Sequence, residues 1–540
     1  MKLSKVTAPA MALLLMLTAC NTAPADTSQN PESSNDGAAS AQVVEIRLDD
    51  SEIIVDGKPA ESDVTHAVYV GNDIVYYEAD KDFTYGEGSD EDAHSAEDAA
   101  EHAVIHITQP GTYSISGSLP KGQVAIDLGD GAEENPEAVV TLILNGVDIT
   151  CEVAPAIIFY NVYECGIKDA DTASETVDTS SAGANVIIAD GTTNTVNGSY
   201  VARIYNPDSV ELNEDGTEVL DAKKLHKYDA AFYSKMSMNV SGGPENNGTL
   251  IINAENEGLD SELHLTINGG IIHISSGNDG INTNEDGISV TTINGGELHI
   301  QVTGETGEGD GIDSNGWLVI NGGSVTAQAC SFSGDAGIDS DMGIHINGGE
   351  VIATGHMLDH IEDGGQNYAV FTFAEQQSGG NSVSLKNAGG DCIFETAPEN
   401  DYSILIYSSP ELVEGPYTLW NDDIQLAGQR GSMMGSPGMP GMPGMMPDGG
   451  TPPELPEGVM PGGVLPPEPL DGMAPPEGRN PFGGPTPPAG LERPDGENPD
   501  DRPNGQWSPG NRGDNVPLEL TTEFQITNGG NMFQSISPAN

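Results

Sequence analysis

Carboxylates recur through the middle of this chain at corresponding places in a repeated phrase. Asp260 opens the series. Asp279, Asn282 and Asp286 follow, then Asp310 and Asp313, then Asp335, Asp339 and Asp341. Gly280, Gly309, Gly311 and Gly337 stand beside them, so backbone carbonyls can approach the same space. Stacked strands put like positions about 4.8 Å apart, which would gather Asp260, Asn282, Asp313 and Asp339 on one edge. Charges that close repel unless a counter-ion screens them. Calcium suits the task, because it takes roughly six to eight oxygen ligands in forgiving geometry, whereas magnesium demands a tighter octahedron and keeps its water. Ca2+ is therefore the expected cofactor, and these nine residues are its expected ligands.

The elements that must position them follow from the same repeat. Its corners are Gly258-Leu259-Asp260-Ser261, Gly280-Ile281-Asn282-Thr283, Gly311-Ile312-Asp313-Ser314 and Gly337-Ile338-Asp339-Ser340. Each is followed by an Asn-Gly-Gly turn, at Asn268, Asn294, Asn321 and Asn347, spaced 26, 27 and 26 residues apart. The runs between turns alternate apolar with polar, as in Leu263, Leu265 and Ile267, which is strand periodicity. One such coil cannot bury its own apolar face, whereas stacked coils can. The expected fold is all-β: a right-handed, single-stranded parallel β-helix, its handedness taken from crossover chirality. It should run over residues 43–427, with Val201 to Tyr228 an inserted loop and Tyr368 to Trp420 supplying closing coils. A disordered Pro/Gly/Met-rich tract is expected over 428–515 and a short strand segment over 516–540.

Acidic residues outnumber basic ones 84 to 18, for a formal net charge of -66. That excludes nucleic acid and anionic membrane surfaces as direct partners and makes a cation the natural one. Lys2 and Lys5 precede an apolar run that ends in Leu17-Thr18-Ala19-Cys20. This is the pattern of a bacterial lipoprotein leader over 1–19, with lipidation at Cys20 and a flexible tether over 20–42. The expected place is extracytoplasmic, on the bacterial cell membrane, which the protein meets only through its lipid anchor. A monomer is expected. Export permits a Cys151–Cys165 disulfide, while Cys330 and Cys392 should be buried singly.

No lysine or arginine occurs between Ser241 and Leu385. An anionic sugar held there would need calcium as its bridge, which permits acidic-polysaccharide binding. The same absence argues against a lyase, whose proton abstraction wants a basic side chain; Lys235 and Arg203 are the nearest candidates. No Gly-x-Ser-x-Gly elbow and no His-Glu-x-x-His motif is present. Trp317, beside a turn at Asn315-Gly316, is the candidate stacking platform for a sugar ring. His264, His273, His299 and His345 punctuate the strands without metal spacing.

Tyr233-Ser234-Lys235 followed by the Gly-Leu/Ile-Asp-Ser corners, together with Gly146-Val147-Asp148-Ile149, Gly191-Thr192-Thr193-Asn194 and the leader, resembles a known family. That family is the bacterial calcium-binding, carbohydrate-binding β-helix lipoproteins, similar to pectate-lyase-like parallel β-helices. The resemblance implies several bound calcium ions and binding of a polygalacturonate- or pectin-like polysaccharide, without firm enzymatic activity. Asp260, Asp313 and Asp339 match the family's repeated aspartate, and neutral Asn282 departs from it. Met236 stands where a small or acidic residue is usual, which weakens any role for Lys235. A polysaccharide lyase and a calcium-stabilised adhesin or structural surface protein are the alternatives.

Overall fold

The computed structural model describes residues 43–49, 51–166, 168–431 and 520–539. The leader, Cys20, the tether and the Pro/Gly/Met-rich tract lie outside the described residues. What is described is all-β but for one short helix, Ala96–Ala100, and two single 3-10 turns.

Three parallel ladders run through the repeat region. The first stacks Ile157–Asn161, Ala230–Ser234, Glu257–Ser261 and Ile281–Thr283. The second stacks Ala184–Ile188, Met238–Gly242, His264–Ile267, Val290–Ile293, Trp317–Ile320 and Gly343–Ile346. The third stacks Thr193–Gly198, Thr249–Ala254, Ile271–Ser276, Glu297–Val302, Ser324–Gln328 and Glu350–Gly355. Register is strict, so like residues meet. Leu259, Ile281, Ile312 and Ile338 are all fully buried, and so are Leu265, Leu318 and Ile344. These columns are the continuous core that no single coil could make.

The corner phrase now has a physical reading. Its Leu or Ile points inward. Its Ser also points inward, and the hydroxyl is satisfied by the carbonyl three residues on: Ser261 Oγ donates to His264 O at 3.1 Å, Ser314 Oγ to Trp317 O at 2.9 Å, and Ser340 Oγ to Gly343 O at 3.0 Å. The residue between them is turned to the outer side of the coil, where Asp313 and Asp339 are partly exposed while Asp260 and Asn282 are covered.

The Asn-Gly-Gly turns stack as well. Asn294 Nδ2 donates to Asn268 Oδ1, Asn321 to Asn294 and Asn347 to Asn321, each at 2.9 Å. The second glycine is obligatory. Gly323 has φ +87°, and a Cβ there would meet Gly296 O at 2.8 Å. Gly323→Ala should therefore cost about 3 kcal/mol, from left-handed strain plus a backbone clash. Asn321→Ala, which breaks two exposed ladder bonds, should cost only about 1 kcal/mol. Urea melts of the two variants check the order.

Two expectations are corrected here. The segment from Val201 to Tyr228 is not a loop. Val201–Tyr205 and Lys224–Tyr228 pair antiparallel, with Glu211–Leu212 and Val219–Asp221 paired beyond them, forming an arm. The closing segments are strands, but not coils. Glu350–Gly355 pairs antiparallel with Tyr402–Ser408, so the sheet becomes mixed and the parallel stacking stops. Tyr368–Gln377, Val383–Asn387, Cys392–Thr396 and Gly415–Asn421 build an antiparallel cap with a second core around Phe371, Leu385, Leu405 and Leu419. The expected C-terminal strand exists and completes that cap through Phe524–Ile526 and Gly530–Pro538.

All four described cysteines are free. Cys151 and Cys330 are buried, and burial pushes the Cys151 thiol up to about 12. Cys392 is exposed, contrary to expectation, because it opens an edge strand of the cap.

Candidate metal centre

The first ladder positions the acids. Pairing sets Tyr233 beside Asp260 and Asp260 beside Asn282. The Ile281–Ile312 bridge continues the column to Asp313, and Asp339 N donates to Ile312 O at 2.7 Å to add the next coil. The expected row therefore forms. A second row lies just ahead of the glycines. Asp279 Oδ1 accepts from Asp310 N at 2.7 Å, Asp310 Oδ1 from Ala336 N at 2.5 Å, and Asp335 Oδ2 from Gly309 N at 2.6 Å. Asp279 and Asp310 thus grip the backbone of the next coil, Asp335 that of the coil before it, and each keeps an oxygen for other use. Asp359, from beyond the repeat, joins the far end, accepting from Ser340 N at 3.2 Å.

Burial is the leading cause of the electrostatics, and neighbouring acids add to it. Both push Asp279 well above the ordinary carboxylate range, Asp310 up to about 9, Asp339 to about 7 and Asp313 to about 6. Asp260 and Glu257, fully enclosed, are likewise raised well above their usual values. Asp286 and Asp341 are exposed at the rim, and burial raises Asp341. Asn315 Nδ2 donates to Asp286 Oδ1 at 3.4 Å.

One end of the edge was not visible in the repeat. Asp229, Glu257 and Asp260 offer oxygens within 4.8 Å of one another, and all three residues are buried. Asn284 Nδ2 donates to both oxygens of Asp260, at 3.0 and 2.9 Å, and Asn282 Nδ2 to Glu257 Oε1 at 3.2 Å. The signal was the pairing of Ala230 with Glu257, one period apart, hidden because Asp229-Ala230-Ala231 lacks the glycine of later corners.

Three buried oxygens on this edge have no hydrogen-bond partner: Glu257 Oε2, Asn282 Oδ1 and Asp339 Oδ1. Every carboxylate or amide oxygen so left among the described residues lies here. Leaving such acceptors dry costs about 1–3 kcal/mol each. Oxygen donors of this kind, acidic and amide together, fit a calcium ion.

The arm brings what the repeat lacks. Lys224 and Lys227 line a cleft of about 330 Å³ with Glu262, Asn284, Asp286 and Asn315. Lys224 Nζ lies 3.0 Å from Glu262 Oε1 and Lys227 Nζ 2.6 Å from Asp229 Oδ2. Tyr233 Oη also donates to Glu262. Arg203 sits elsewhere on the arm, 3.1 Å from Glu87. Trp317 is half-buried in the second ladder, paired with Val290 and Gly343, outside the acid rows. His264 is buried and accepts from Val290 N at 3.1 Å, while His273 and His299 stack with centroids 5.0 Å apart.

The family model described as carbohydrate-binding domain-containing protein matches residues 101–386. No curated protein matches. Among solved structures, the chain is similar to the polysaccharide lyase-like protein from C. thermocellum, in a gadolinium derivative. The identity is 20% and the TM-score 0.32, over 57% of this chain and 90% of that one.

Proposed function

This chain belongs to the family of carbohydrate-binding domain-containing proteins, and from that premise we propose that it holds an acidic, polygalacturonate- or pectin-like polysaccharide through calcium ions seated on the carboxylate edge. One observation carries the reading. Orphaned buried oxygens occur on three coils of one edge, at Glu257 and Asn282 on adjacent coils and at Asp339 two coils further on, among acids whose burial disfavours bare charge. A divalent ion engages those lone pairs and offsets the mutual repulsion. Calcium's remaining coordination positions are then taken by a uronate carboxylate and its neighbouring hydroxyls.

The three stacked ladders support a right-handed, single-stranded parallel β-helix as the scaffold. The leader over 1–19, followed by Cys20, supports lipid anchorage at the bacterial cell surface, where such polysaccharide is met. On this reading the protein binds its polysaccharide and does not cleave it.

The test is affinity electrophoresis in polygalacturonate gels. Retardation should appear with calcium, vanish with chelator, and be lost in the double variant Asp279→Asn, Asp310→Asn. These substitutions keep shape and remove two carboxyl groups that calcium needs in ionised form. Retardation that persists under chelation would remove the proposal.

A further inference from the structure

Among the described residues Lys227 is the one cation paired into the acid cluster, and it does an incomplete job there. Its ammonium lies 2.6 Å from Asp229 Oδ2. Three carboxylates, Asp229, Glu257 and Asp260, crowd within 4.8 Å, so one positive charge faces three acids. Glu257 Oε2 still has no partner. Independently, Asn282, 7% exposed and bonded through its Nδ2 to Glu257, leaves its own Oδ1 unsatisfied. A lysine provides three donors on one small head. A divalent ion gathers about six to eight oxygens around one centre and can take all of these.

We propose that Lys227 is a built-in placeholder for the metal: a divalent cation entering the Asp229–Glu257–Asp260 cluster displaces its ammonium, which then binds the carboxylate of a uronate in the adjoining cleft. The inference rests on the calcium-dependent reading above and names the residue that couples metal to sugar.

The released ammonium has the adjoining cleft within reach. Lys227 already lines the cleft, with Lys224 on the same strand, Lys224–Tyr228. The Lys227 side chain is 45% exposed, so its head can turn outward while its stem stays packed on the arm. The cleft, about 330 Å³, admits a pyranose ring. Asn284, Asn315 and Asp286 offer the amide and carboxylate groups that bind sugar hydroxyls. In the metal-free state both lysines are paired to protein acids and the cleft repels anions. With the ion seated, like charge drives Lys227 out of the cluster and the cleft gains a free cation. Metal and uronate therefore bind with positive coupling, and each strengthens the other by the same factor.

The placeholder idea makes Lys227→Met act with opposite signs on two ligands. The full chain is titrated with calcium chloride alone, then with trigalacturonate at saturating calcium, by calorimetry. Removing the competitor should tighten calcium about tenfold. Losing a charge-assisted contact should weaken trigalacturonate about tenfold or more. Lys227→Gln, which keeps a polar head, should move both constants the same way, and circular dichroism confirms the fold of each variant. Calcium affinity unchanged or weakened in both variants overturns the proposal, and so does unchanged sugar affinity. If the unaltered chain binds no calcium at all, the broader calcium reading has failed instead.

Discussion

Stripped of divalent ions, the domain should melt at lower temperature as pH is raised from about 5 to about 8, and calcium should abolish or reverse that slope. The sign follows from the direction of the shifts. Burial and neighbouring acids hold Asp310 at about 9, Asp339 at about 7 and Asp313 at about 6 in the folded chain. An unfolded aspartate titrates near about 3.9. Between those values the native state keeps protons that the unfolded chain has released, so stability falls as pH rises. The loss begins above the unfolded value and continues until each folded value is passed. Most soluble proteins gain stability over the lower part of this range, so the inverted slope is diagnostic.

Calcium changes the linkage because it needs the ionised form. At neutral pH its uptake must eject protons, first from Asp310, which burial and its acidic neighbours hold at about 9. Calorimetry in two buffers of different ionisation enthalpy counts those protons. At a hundredfold excess over its dissociation constant, one ion adds roughly 2.7 kcal/mol. A chelated domain whose melting temperature stays flat or climbs over the same pH range would show that the acids carry ordinary charge, and the cation edge would lose its basis.

The parts legible in sequence are those where every coil meets the same physical demand. A left-handed turn demands glycine at Gly270, Gly296, Gly323 and Gly349, an amide ladder demands Asn, and an inward corner demands Ile and then Ser. Repetition makes these visible, and the acid between them becomes visible with them. Strand direction was not legible in the cap. Alternation marks Tyr368–Gln377 as a strand, but whether its partner runs parallel depends on chain far away, at Tyr402–Ser408 and Gly530–Pro538. The arm escaped for a related reason, because its pairing joins Val201 to Tyr228 through irregular register. The two of its lysines that line the cleft, Lys224 and Lys227, were therefore unavailable to any reading that counted cations only within the repeat. Asp229 was hidden by its alanines. Only stacking, not composition, brings it against Glu257 and Asp260.

Removing residues 520–540 should unfold the cap, whereas excising 432–519 and joining the ends with a short Gly/Ser linker should not. Gly530–Pro538 fills a slot between Tyr368–Gln377, which it pairs in parallel, and Ile424–Arg430, which it pairs antiparallel. Its loss strips both neighbours of their hydrogen bonds and creates two long open edges. It also removes Phe524, Ile526, Phe533 and Ile536 from a core in which Phe524 and Phe533 lie 5.5 and 5.4 Å from Phe371, and 5.0 Å from each other. Each large side chain deleted from such a core costs about 2–5 kcal/mol, and four together exceed the stability of a typical domain. The intervening segment, by contrast, leaves and re-enters through paired positions. Gly428 and Thr521 exchange backbone bonds at 2.9 and 2.8 Å, and Gly431 N donates to Met532 O at 2.9 Å. The excised chain should therefore melt at the same temperature. Near-ultraviolet circular dichroism reports the cap through its aromatic cluster. A truncated chain that keeps that signal and its melting temperature would mean the final strand only decorates a cap already complete without it.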